Sequence, residues 1–139
     1  MSYEEKGVWV QFVVSLGAYA VYVAVILGRA GGAPLAEVAY VAPMLWTIGI
    51  AIAATIAGRI LVEIAKPSEV QKGDARDKDI HRFGEYVGGV VLAIAMVVPF
   101  GLTLAEVAHF WIANAMYAAF VLSGLVSTPV KLVAYRRGL

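Results

Sequence analysis

The chain has 139 residues, of which 61% are hydrophobic and 15% charged, with no cysteine and a formal net charge of +1. That balance lies well outside the averages of soluble domains. The absence of cysteine excludes disulfides, thiol redox chemistry, Fe–S ligation and lipidation at cysteine. The net charge itself says little about partners; no nucleic-acid partner is expected.

The charges are swept into a few short stretches between long apolar runs, which is how membrane chains dispose of them. In hydrocarbon only helices or closed barrels satisfy their own backbone. Runs of about 20 apolar residues match a helix crossing a core of roughly 30 Å. The expected fold is therefore an all-α, four-helix transmembrane bundle with the lipid bilayer as its surroundings. The start, Met1-Ser2-Tyr3-Glu4-Glu5-Lys6, is acidic, and no Ala-x-Ala-like site ends the first run, so no cleavable signal peptide is expected.

The first span is placed at Gly7–Gly28; it carries Gln11 and Ser15 but no acid or base. Arg29-Ala30-Gly31-Gly32-Ala33-Pro34 reads as a turn, with Pro34 opening the next helix. The second span is placed at Leu35–Ile64, with a kink at Pro43 and an i,i+4 pair of Arg59 with Glu63 near its far end. A polar stretch, Lys66–Asp79, follows. Gly73-Asp74 and Asp77 resemble a helix start, so the third helix is expected from near Asp74 through Leu104. The fourth is expected from Thr103 or Leu104 to Val133, bent by Pro129 and closed by Tyr135-Arg136-Arg137.

Leu35-Ala36-Glu37-Val38-Ala39 returns letter for letter as Leu104-Ala105-Glu106-Val107-Ala108, an offset of 69 residues. The repeat implies two tandem helical hairpins, residues 1–69 and 70–139, with the echoed glutamates at the start of each second helix. In this scheme every lysine and arginine except Arg29 falls on the side of the two termini and the polar loop. The positive-inside rule then places that side in the cytoplasm.

Small residues at four-residue spacing mark close helix contacts in lipid. Gly49, Ala53 and Ala57 with Ala54 and Gly58, Gly84 with Gly88, Gly89 with Ala93, and Ala115, Ala119, Ser123 and Ser127 form such stripes. The offset maps Ala54 onto Ser123 and Gly58 onto Ser127. These stripes suit packing within the chain, or a homodimer seam. Trp9, Trp46, Trp111, Tyr3, Tyr40 and Tyr135 lie near span ends, as interfacial anchors do.

Two sets of residues are candidate sites. On the outer face, Glu37, Glu106, His109 and Asn114 gather near the hairpin turns. Thr103-Leu104-Ala105-Glu106 fits a capping box, which accounts for Glu106 without any function. Glu106 and His109 also share a helix face, as carboxylate and imidazole ligands do in metal-binding bundles, although the first half has Tyr40 at the position of His109. Asn114 is expected to hydrogen-bond between helices. On the cytoplasmic face, Asp74 and Arg76 precede Asp77, His81 and Glu85, the last three in one line along the third helix. Carboxylates on both sides stabilise a charged imidazole, which suits a proton sensor or partner site; a charged helix extension solvated at the interface is the plainer account. His81 and His109 fall at opposite membrane faces and cannot jointly clamp one haem. Small four-helix multidrug exporters carry an acid in the first span, and this first span has none.

The segments Tyr3-Glu4-Glu5-Lys6, Glu37–Gly49, Lys72-Gly73-Asp74-Ala75-Arg76-Asp77, Phe83–Gly88 and His109–Asn114 together resemble a family of small bacterial membrane proteins of uncharacterised function. In that family the loop tends to read Asp-Glu-Arg-Asp, and Ala75 stands here in place of the Glu. Related families resemble products encoded beside small helix-turn-helix regulators, which implies a membrane partner that holds or releases a cytosolic regulatory protein. The resemblance implies no catalytic residues. The expectation is a non-enzymatic sensing or regulatory module in the bacterial plasma membrane that needs no cofactor and engages a cytosolic partner through residues 66–82. The alternative is a small transporter or channel with its pathway between the two hairpins.

Overall fold

A computed structural model describes residues 3–65 and 75–137. Those residues form four long helices, each long and apolar enough to cross a membrane, and no strand occurs among them. Helix α1 covers Tyr3–Ala30, α2 Val41–Ala65, α3 Ala75–Ala95, α4 Val97–Leu104 and α5 His109–Arg137. The proposed start of the third helix at Asp74 lies outside the described residues.

At about 1.5 Å per residue, helices of 25 to 29 residues exceed the roughly 30 Å of a hydrocarbon core. Their outer surface is apolar: Leu45, Trp46, Ile64, Ile94 and Phe100 are all largely exposed. In water such a surface would be a liability. In lipid it is the solvated face, and only helix-to-helix contacts need specific packing.

The helices do not close into a ring. Helix α1 lies between α2 and α5, α3 packs on the other side of α5, and α4 follows α5 toward the turns. The outermost helices, α2 and α3, make no substantial contact with each other. Each hairpin is drawn together at a small residue. A Cβ at Gly58 of α2 would lie 2.6 Å from Val10 Cγ1 of α1, and one at Gly88 of α3 would lie 3.0 Å from Ser127 Cβ of α5. Gly58 and Ser127, related by the 69-residue offset, thus both face the first helix of their own hairpin.

Three boundaries differ from the sequence-based expectation. Residues Leu35–Glu37 form a short 3-10 turn and α2 begins only at Val41, so Pro43 sits in its first turn. Met44 N–H makes the first helical bond, to Tyr40 O at 3.0 Å. Pro43 therefore removes no hydrogen bond and no kink is required. The third span is interrupted at Met96, because Pro99 has no N–H for the Ala95 carbonyl and its ring crowds that group. The fourth span starts at His109, several residues later than expected.

Near the turns a compact core joins the hairpins: Tyr22, Ile26 and Ala30 of α1 meet Val38 and Phe110. The α1–α2 turn depends on Gly31 and Gly32, at φ 50° and 88°, values that side-chain-bearing residues rarely adopt. At the other end, the Arg59 guanidinium lies over Gly7 of α1, where a Cβ would be 3.0 Å from Cζ. The expected Arg59–Glu63 ion pair is not formed.

Candidate functional site

The outer-face set does not assemble. Glu37, Glu106 and His109 are each exposed, whereas Asn114 is turned into the helix seam. Among the described residues no three histidine, aspartate or glutamate side chains come together as a metal-binding group.

The capping-box reading of Thr103 and Glu106 is overturned by the hydrogen bonds. Thr103 Oγ1 donates to Pro99 O at 2.8 Å, inside α4, rather than accepting from an α5 amide. Glu106 N–H donates to Thr103 O at 3.1 Å and Val107 N–H to Leu102 O at 3.3 Å. That pair of reversed bonds is the Schellman closure of a helix C-terminus, and Glu106 occupies its left-handed position at φ 57°. Glu106 thus ends α4; it does not begin α5.

Asn114 bridges α5 to α1 and its own helix. Its Oδ1 accepts from Tyr22 Oη, and its Nδ2 donates to Phe110 O at 2.8 Å. Tyr22 is 2% exposed, with its ring 4.9 Å from that of Tyr117. Tyr117 Oη in turn shares a hydrogen bond of 3.0 Å with Thr47 Oγ1 of α2. Three helices therefore meet through two hydrogen-bonded pairs joined by the contact between the Tyr22 and Tyr117 rings, with the polar groups satisfied as a low-dielectric interior demands. Tyr22, Tyr117 and Thr47 were not singled out from the sequence. The available signal was the spacing of Tyr19, Tyr22 and Tyr117 within apolar runs, since a phenol buried in lipid must find a partner.

At the terminal end, Glu85 and His81 of the expected set meet around a residue that sequence reasoning passed over. Lys131 of α5 is 5% exposed. Its stem lies across Gly84 of α3, where a Cβ would come within 2.4 Å of Lys131 Cγ. Its ammonium pairs with Glu85 Oε1 at 2.7 Å and lies 3.4 Å from His81 Nδ1. His81 therefore faces a cation from α5 as well as Glu85 of its own helix. The signal for Lys131 was present: it is a lone base one turn before the Arg136-Arg137 end, and Gly84 supplies the room.

Arg76 closes the same corner. Its Nη2 donates to Tyr135 O at 2.6 Å, and its guanidinium stands 5.8 Å from the Tyr135 ring. An arginine on the last carbonyls of a helix satisfies groups that have no helical partner and favours the negative end of the dipole. With Ile80 3% exposed beneath it, the first turns of α3 are fixed to the end of α5. Lys78, Asp79 and Arg82 are exposed. Asp77 is half-buried, and Asp74 lies outside the described residues.

No protein-family model matches this chain, and no curated protein or solved structure matches it. The reading of function therefore rests on the residues themselves.

Proposed function

We propose that the protein is a non-enzymatic regulatory module of the cell membrane, with both termini cytosolic, that presents the first turns of α3 to a cytosolic protein. The observation that carries this reading is the clamp of residues 75–85 onto α5. Arg76, Ile80 and the Glu85–Lys131 pair hold the segment, and Lys78, Asp79 and Arg82 are exposed. A charge pattern on a rigid helix is a preorganised recognition surface, because little ordering remains to be done on binding. Both signs occur on it, which suits a protein better than anionic lipid, whose attraction calls for a one-sign basic cluster.

The Lys/Arg asymmetry supports the orientation, and the resemblance to small bacterial membrane proteins is consistent with a cytosolic regulator as partner. A transport pathway between the hairpins would run along the α1–α5 seam. Near the turns that seam is closed by Tyr22, Ile26 and Phe110, which favours the docking reading. Of the small-residue stripes, Gly49, Ala53 and Ala57 on α2 and Gly89 and Ala93 on α3 are outward and open to a homodimer seam, whereas Gly58, Gly84, Gly88 and Ser127 are occupied within the chain.

The test exchanges Lys78→Glu and Asp79→Lys, both exposed and outside the clamp, and compares captured cytosolic proteins with the wild type. The expected result is loss of a specific partner with the thermal stability retained. Identical captured proteins from both forms would contradict the proposal.

A further inference from the structure

Between α1, α2 and α5 lies a partly open cleft of about 180 Å³, separate from the terminal-end site. The Thr47–Tyr117 hydrogen bond stands at its end nearer the turns. Toward the termini its floor is α1, which contributes Gln11 and Ser15, one turn apart on one face. Neither side chain hydrogen-bonds to another described residue. Taking Lys6 and Arg29 as the ends of the span, Ser15 lies about 4 Å and Gln11 about 10 Å from its midpoint, both within the roughly 15 Å half-thickness of the hydrocarbon. Lipid tails offer such groups nothing to bond.

The opposite wall is aromatic. Tyr117 and Phe120 of α5 face the cleft, and Gly124 leaves it open, with no atom within 4 Å of the place a Cβ would occupy. No charged residue lines it, so a carboxylate, phosphate or ammonium would find no counter-charge. A second cleft of about 260 Å³, also lined by α1 and α2, is larger but has only Thr47 among apolar residues such as Val13, Val21 and Ile50. That one suits an acyl chain. The smaller cleft has donors, an acceptor and ring surface together.

We propose that the α1–α2–α5 cleft binds an uncharged, lipid-soluble molecule with a planar carbonyl-bearing ring, of the quinone type, entering sideways from the bilayer. The Gln11 amide and Ser15 hydroxyl donate to the ring oxygens, Tyr117 and Phe120 flank the ring, and its apolar tail remains among the lipids. The proposal does not depend on the docking role of α3.

The test uses the full chain in bilayer nanodiscs of uncharged lipid, titrated with a decyl-substituted benzoquinone that quenches tryptophan fluorescence. Saturable quenching is expected, with decylbenzene at equal mole fraction failing to compete. Gln11→Leu with Ser15→Ala should weaken binding about tenfold or more, the loss of two hydrogen bonds, and Gly124→Leu should abolish saturation. Linear quenching equal in the wild type and Gly124→Leu would overturn the proposal. So would competition by decylbenzene, which would show a plain apolar groove and needs no variant to be folded. Burial of Gln11 by a second copy, seen as cross-linking at that position without saturable quenching, would also overturn it.

Discussion

Glu106 holds a left-handed backbone at φ 57°, a conformation that costs most side-chain-bearing residues about 1–2 kcal/mol. It also places a carboxylate near the C-terminus of α4, the end where the helix dipole disfavours negative charge. Glu106→Gly should therefore raise stability, by about 0.5–1 kcal/mol after allowing for the greater freedom of glycine in the unfolded chain. Gln, Ala and Leu at this position should behave alike, since all three share the backbone cost. Unfolding in mild detergent measures the series; a Gln variant standing clearly above Ala and Leu would restore the capping-box account. The Lys131–Glu85 pair is asymmetric in another way, with side-chain exposures of 6% and 60%. Removing Glu85 leaves an ammonium buried without its counter-charge, whereas removing the ammonium leaves a carboxylate that reaches water. Glu85→Gln should thus cost about 1–3 kcal/mol and Lys131→Met less than about 1 kcal/mol. Equal losses in a thermal unfolding comparison would show that the pair, not the burial of the lysine, sets the effect.

The interruption of the third span belongs to the element scale. Met96 N–H still bonds Leu92 O at 2.8 Å and Phe100 N–H reaches Met96 O at 3.2 Å, so regular bonding continues up to Met96 and resumes from it, with Pro99 unable to bond the Ala95 carbonyl. Pro99→Ala should join α3 to α4, visible as a new slowly exchanging amide at position 99; rapid exchange there would place the cause of the break elsewhere. The four spans were legible because apolar run length and bilayer thickness are tied by geometry, and Gly88 and Ser127 were legible as packing residues for the same reason. The capping box was misread because Thr-x-x-Glu carries no direction of its own. Thr103 can serve the start of α5 or the end of α4, and the choice depends on where Pro99 and Ala105 let the chain turn. The pairing of Lys131 with Glu85 was out of reach in a different sense. They stand 46 positions apart, and only the register of α3 on α5 brings them together.

At the scale of the whole molecule, the hairpins join through α1 of one and α5 of the other. These helices are not equivalent under the 69-residue offset, so the two halves have different surroundings despite similar internal packing. One consequence is that the hydrogen-bonded pairs Tyr22–Asn114 and Tyr117–Thr47 occur at the three-helix corner of α1, α2 and α5. Tyr22→Phe removes the donor to Asn114 and should cost about 0.6–1.7 kcal/mol, the range found for interhelical hydrogen bonds in membranes. No change on unfolding in detergent would mean that Asn114 finds another donor. The other consequence is that α3 stands at the margin, with its charged first turns fixed to α5 yet open to the aqueous side. The central claim is that these turns are a docking face, and the most direct measurement is photo-crosslinking in cells from a reactive residue placed at position 78 or 82, with position 37 as the control. The account predicts a discrete adduct with one cytosolic protein from positions 78 and 82 and none from 37. Adducts absent from both, or the same from all three positions, would contradict it.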